Sequence, residues 1–152
     1  MHYLELVFKE GLRMFPSLGF LLRQCTRAYT FPEFNMTIDE NVRVMIPLQS
    51  MHNDPKYFPN PDVFRPERFA PEEFDTNNKY VFLPFGAGPR ACIGERLGLM
   101  QSLAGLAAVL SCFTVEPAPE TVRHPIVDPL SSVVQSIKAG LPLMFHPRNK
   151  VA

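Results

Sequence analysis

The chain has 152 residues, 46% of them apolar, and its 15 acidic and 15 basic residues cancel. That length holds one domain, the apolar share excludes global disorder, and zero net charge removes the basic footprint of a nucleic-acid binder. Sixteen prolines, roughly twice ordinary usage, against eight glycines require long stretches of fixed coil between short helices and strands. The cysteines, Cys25, Cys92 and Cys112, are odd in number and lack C-x-x-C spacing. Neither a disulfide framework nor a zinc ribbon is supported, and a reducing compartment fits better.

The N-terminal run has Glu5, Lys9 and Glu10 where a secretory signal needs uninterrupted apolar residues. Tyr3 to Phe15 predicts a helix, because Tyr3, Leu4, Val7, Phe8 and Leu12 share one side at a 3.6-residue period. Pro16 ends it. Glu10 and Arg13, at i and i+3, lie within pairing reach. On the helical wheel they share the side of Glu5 and Lys9, which reads as a solvated ion pair worth under roughly 1 kcal/mol. Leu21 to Tyr29 predicts a strand. Phe34, Met36 and Ile38 alternate, "DEN" turns the chain, and Val42, Val44, Ile46 and Leu48 alternate again. That pattern predicts a hairpin, with Pro47 marking an edge.

Asp54-Pro55 joins an N-cap to a proline at the first helical position and predicts a short helix. "FPNPDVFRPERFAP", from Phe58, is too dense in proline for a regular element. Phe58, Val63, Phe64 and Phe69 are interleaved in it, so a packed irregular coil is expected. Gly94 to Cys112 predicts the longest helix. The run Leu97 to Phe113, about 17 residues broken by Gln101, Ser102 and Ser111, is marginal for a membrane span. "EPAPETVRHP" then reads as loop, and "SSVVQSIKAGLPLMFHP" predicts two strands joined near Ala139-Gly140. The fold class is mainly α with small β hairpins.

One loop carries chemistry. Phe85, Gly88, Arg90, Cys92 and Gly94 make the pattern F-x-x-G-x-R-x-C-x-G. Two glycines permit positive φ and close backbone approach. The helix starting just after Cys92 aims its orphan N–H groups back at the sulfur, an arrangement favourable to a thiolate. Arg90 adds positive charge. A nucleophilic cysteine normally needs a base, and His2, His52, His124 and His146 are all distant in sequence. A plain buried thiol leaves the glycines, Phe85 and Arg90 unexplained. A metal ligand, a nucleophile and a core thiol all remain open on these residues alone.

The loop resembles the haem-binding signature of the cytochrome P-450 family and matches it at every defined position. The resemblance implies that Cys92 is the axial ligand of the iron of haem b (iron protoporphyrin IX). Ile93 and Gly94 would offer backbone N–H groups to the sulfur, Phe85 would pack beside it, and Arg90 would meet a haem propionate. Arg23, on the strand after the first helix, would meet the other. Gly94, Gly98 and Ser102, four apart, share one helix face where a flat macrocycle or a second helix could approach. Glu10 and Arg13 (E-x-x-R) and Arg68 in "PERF" stand in the family's order ahead of the cysteine loop. By resemblance these three form its buried structural triad, which replaces the solvated-pair reading.

Pro16–Leu22 and Ser131–Ser136 would correspond to substrate-contacting segments. Cys25 and Cys112 are expected to be inert core thiols, and Met14, Met100 and Met144 gap-fillers. The resemblance covers residues 1–152 as one partial haem-binding monooxygenase domain, the C-terminal third of the fold. Its elements would be the E-x-x-R helix, β hairpin, proline-rich meander coil, cysteine loop, long helix and C-terminal β hairpin. The branch most resembled is the microsomal, insect type. The central oxygen-activating helix and the N-terminal membrane anchor are expected to be absent from this sequence. The implied activity is insertion of one oxygen atom from O2 into a lipophilic substrate, with electrons from an NADPH-dependent reductase. The implied setting is the cytoplasmic face of the endoplasmic reticulum membrane. The competing expectation is a truncated non-catalytic product, at most a haem-binding stub, with bare apolar surface and poor solubility.

Overall fold

Helix α1 spans His2–Met14 and turns its Leu6–Glu10–Arg13 edge inward. In the computed structural model, which describes residues 2–74, 79–123, 125–131 and 134–148, this edge packs against a 3₁₀ turn over Pro66–Phe69. The apolar stripe expected to drive the helix lies beside that edge. Val7, Phe8 and Leu12, with Phe64 and Leu106, line an open groove of about 340 Å³. Phe15 still bonds back to Gly11, and the fully buried Pro16 ends the helix because it has no N–H to continue the ladder.

Next come strands β1 (Leu21–Gln24), β2 (Tyr29–Phe31), β3 (Met36–Ile38) and β4 (Arg43–Ile46). The pairing differs from the expected hairpin of the third and fourth segments. β2 pairs with β3, and β1 closes outside them on β4, both antiparallel. The expected strand Leu21–Tyr29 is therefore two strands. The reversal sits at Pro32–Phe34, a 3₁₀ turn with proline at its start and Asn35 left-handed (φ 47°) at its end. "DEN" does turn the chain, through left-handed Asn41 (φ 67°), but it leads from β3 back to the β1 partner.

Helix α2 is Leu48–His52, ahead of the expected Asp54 start. Asp54 does cap, accepting the Lys56 N–H through Oδ1 at 2.8 Å, but only a single turn follows before Pro59 stops it. The coil beyond is irregular as expected, except for the 3₁₀ turn in "PERF". Phe58 and Phe69 are buried with Leu6, Ala70 and Val81 in the core cluster, whereas Val63 and Phe64 face outward.

Helix α3 (Glu95–Cys112) begins after Gly94 and has no buried residue. It runs straight into β5 (Phe113–Pro117), a strand the sequence pattern had concealed as helix end and loop. β6 (Leu143–Pro147) pairs antiparallel with β5, not with the segment before Ala139-Gly140 as expected. The chain does turn there, with φ of 67° and 72°, but the flanking residues form only the bridge Val127–Ile137. Residues 132 and 133 of the expected Ser131–Ser136 segment lie outside the described residues. Among the described residues the structure thus has three α-helices and three small antiparallel sheets, a mixed α/β arrangement with its core under α1. No helix among them is long and apolar enough to cross a membrane.

Candidate functional site

The buried polar centre begins with one carboxylate. Glu10 and Arg13 are fully buried and Arg68 nearly so, although the wheel sets the first two beside Glu5 and Lys9. The neighbour that covers them is the coil, which no helix periodicity can register. Arg13 grips Glu10 with both edges of its fork, Nε donating to Oε2 at 2.8 Å and Nη2 to Oε1 at 3.0 Å. Arg68 Nε donates to the same Oε1 at 3.0 Å, and the Arg65 N–H adds a third bond at 2.9 Å.

Two guanidinium groups share this single carboxylate. Their other N–H groups end on carbonyl oxygens. Arg13 reaches His52 at 2.9 Å and Pro61 at 2.6 Å. Arg68 reaches Pro59 at 3.1 Å, Val63 at 3.2 Å and Asn60 at 3.4 Å. Prolines suit this place because they present an acceptor and bury no donor. Phe58 adds its ring 5.6 Å below the Arg13 guanidinium carbon, in cation–π range.

His52 was considered only as a distant base in sequence, and its place was missed. Its ring is buried, and Nε2 accepts the Leu83 N–H at 3.1 Å. Burial, and then the nearby Arg13 charge, lower its pKa from 6.5 to about 4. The available signal was slight: His52 lies four residues after the fully buried Leu48, on the same helix face.

From Leu83 the chain enters the cysteine loop. The Gly86 N–H returns to Leu83 O at 3.0 Å, the Ala91 N–H to Gly88 O at 3.0 Å, and the Cys92 N–H to Phe85 O at 2.8 Å. Gly86 and Gly88 hold φ of 73° and 72°, a region side chains seldom adopt. Arg90 ends an exposed 3₁₀ turn, Gly88–Arg90. Cys92 is exposed and Ile93 fully so. The sulfur lies 3.9 Å from where a Cβ on Gly94 would stand, and Phe85 lies 4.0 Å from the same point on Gly98. Phe85 and Cys92 therefore border the first turn of α3. Arg23 comes to the loop from β1, with Nη2 3.8 Å from the Gly86 Cβ position. Its Nη1 donates to Leu22 O at 2.8 Å.

A thiol on open surface, glycines that keep the backbone low, and two arginines nearby suit a flat, dianionic, metal-bearing group. Among the described residues no three His, Cys, Asp or Glu side chains gather. Cys112 is exposed and not a core thiol, because α3 buries nothing at that end. Cys25 is half-buried, its thiol donating to Arg27 O at 2.9 Å. Met100 and Met144 are exposed and fill no gap.

A family model described as Cytochrome P-450 matches residues 1–143, and the chain belongs to that family. Its relatives include insect proteins and a mammalian one. It is 43% identical over 119 residues to cytochrome P-450 6d1 of Musca domestica, covering 78% of this chain and 23% of the relative. It is 40% identical over 152 residues to cytochrome P-450 6B7 of Helicoverpa armigera, covering 100% and 30%. With cytochrome P-450 3A13 of Mus musculus the identity is 47% over 122 residues, covering 80% and 24%. The chain thus spans less than a third of the length of these curated relatives.

Proposed function

We propose that this chain is the C-terminal, proximal haem-binding part of a haem-thiolate monooxygenase, with Cys92 as the axial ligand of haem b. The observation that carries the reading is the exposed Cys92 at the start of α3, in a loop shaped by Gly86 and Gly88 and joined to the buried Glu10–Arg13–Arg68 centre. Cys92 would hold the iron as thiolate. The backbone N–H groups of Ile93 and Gly94 would hydrogen-bond the sulfur and temper its basicity. Phe85 would pack beside the sulfur. Arg23 and Arg90 would hold the two propionates. Glu10, Arg13 and Arg68 lock the coil that supports the loop. When bound, the thiolate-ligated haem supplies O2 activation.

The activity of the whole protein is then insertion of one oxygen atom into a lipophilic small molecule, with electrons from an NADPH-dependent reductase. The setting is the cytoplasmic face of the endoplasmic reticulum membrane. A second reading, a non-catalytic haem-binding stub, is favoured by one observation: α3 and its surroundings leave much apolar surface bare. The test is the carbon monoxide difference spectrum of the reduced, haem-loaded full-length protein. A thiolate-type Soret band is expected, lost in Cys92→Ala and unchanged in Cys112→Ala. Equal effects of the two substitutions would overturn the ligand assignment.

A further inference from the structure

We infer that His52 is a positioning residue for the cysteine loop: by accepting the Leu83 N–H it fixes where the loop leaves the buried arginine centre, and so where Cys92 stands. The inference rests on the proposed reading of Cys92 as haem ligand. His52 bonds at both ends. Its main-chain oxygen takes Arg13 Nη1 at 2.9 Å, and its ring Nε2 takes the Leu83 N–H at 3.1 Å. The ring is held in place by Phe82, 5.3 Å away at a tilt of 39°, and by the edge of Phe58 at 6.3 Å.

Beyond Leu83 the bonds continue. Leu83 O accepts the Gly86 N–H at 3.0 Å, and Phe85 O accepts the Cys92 N–H at 2.8 Å. A short relay of hydrogen bonds thus leads from the Arg13 guanidinium, through the His52 carbonyl and ring and the loop backbone, to the cysteine.

Packing alone does not account for an imidazole here. A phenyl ring would fill the same space between Phe58 and Phe82. What histidine adds is a lone pair aimed at a main-chain donor. Main-chain groups of Val81, Arg13 and Leu12 also bond the ring and favour its charged form, but burial and the Arg13 charge outweigh them and keep it neutral at physiological pH, with a pKa of about 4. The Leu83 N–H aimed at Nε2 then leaves the lone pair there and the proton on Nδ1. Protonation would turn that acceptor into a donor facing another donor.

The experiment uses the haem-loaded full-length protein. His52→Phe keeps the ring volume and removes the acceptor, whereas His52→Gln places an amide oxygen close to the Nε2 position. We expect His52→Phe to cut hydrogen-exchange protection of the Leu83 amide at least tenfold. It should also lower the thiolate-type share of the reduced carbon monoxide complex and shift the iron's reduction potential, with His52→Gln restoring all three. A purely structural role would change the melting temperature and leave the spectrum and potential of the folded fraction untouched. A wild-type thiolate share and potential in His52→Phe would overturn the inference alone, as would a folded His52→Gln that behaves like His52→Phe. If His52→Phe does not fold, an unprotected Leu83 amide in the wild type overturns the inference; a protected one, with His52→Gln folded and normal, supports it. A wild type lacking any thiolate-type band overturns the haem reading and this inference with it.

Discussion

Glu10 carries more partners than its single charge can balance, and that sets the response of each neighbour to mutation. Arg13 and Arg68 both pair with it in near-complete burial. Removing Arg13 strands Glu10 Oε2, and removing Arg68 strands the Pro59, Asn60 and Val63 carbonyls, in each case without water. Such breaks cost about 3–5 kcal/mol, although the intact network is no strong source of stability. Arg68→Ala is therefore expected to yield no folded haem-loaded protein, and Arg68→Lys to recover little, because an ammonium lacks the fork that serves Glu10 and the Pro59 and Val63 carbonyls together. Haem content per chain checks this, and wild-type content in Arg68→Ala would restore a surface-pair view. His52 gives a pH dependence whose sign is fixed by its lowered pKa. The unfolded ring, near 6.5, binds a proton that the folded one, near 4, refuses. Stability from this residue is full above pH 6.5 and falls as pH drops through 4, by roughly 3 kcal/mol in all. Denaturant midpoints across that window should flatten in His52→Gln.

At the scale of elements, the cysteine loop depends on two backbone positions. A Cβ on Gly86 at φ 73° is strained, and its nearest neighbours would include the Arg23 guanidinium and the Ala91 backbone at 3.8 Å. Gly86→Ala should cost more than about 1 kcal/mol and weaken haem retention. Those distances at Gly86 are ordinary contact, so Gly88→Ala, at φ 72° in open space, bears the same φ penalty and should cost about as much. Haem loss to a scavenger protein compares them. Gly88 was readable in the sequence, as were α1, α3 and the coil, because proline, glycine and helical period act locally; the other glycine expected to use positive φ, Gly94, sits at φ −91°, and Gly86, outside the motif, takes that conformation instead. Pairing was less legible. Alternation marked β3 and β4 but could not say that each has its partner on the N-terminal side, since the deciding turn, Pro32 to Asn35, overlaps the start of the alternating run at Phe34. β5 was hidden because α3 passes into it without a breaker. Burial of Glu10 and Arg13 depends on a coil some 50 residues on in sequence, which only the family resemblance brought into view.

At the scale of the molecule, α3 is largely apolar, and although it touches α1 none of its residues is fully buried, with Leu97 and Met100 more than 60% exposed. A helix of that kind belongs inside a larger body. The 152-residue chain alone is expected to self-associate at micromolar concentration, and Leu97→Glu with Met100→Glu should reduce this. Sedimentation velocity measures it, and a monomeric wild type would refute the expectation. The proline coil holds a different consequence. Having no ladder of its own between Pro59 and Val63, it behaves like a coordination sphere, its carbonyl oxygens arranged around two tethered cations. One of those cations, Arg13, is delivered by a distant helix. A ligand sphere does not fray from one end; it empties when its ion leaves. The coil's shape is therefore a direct gauge of whether α1 is docked, and a protease able to cut between Asn60 and Arg65 would read that docking as a single all-or-none event.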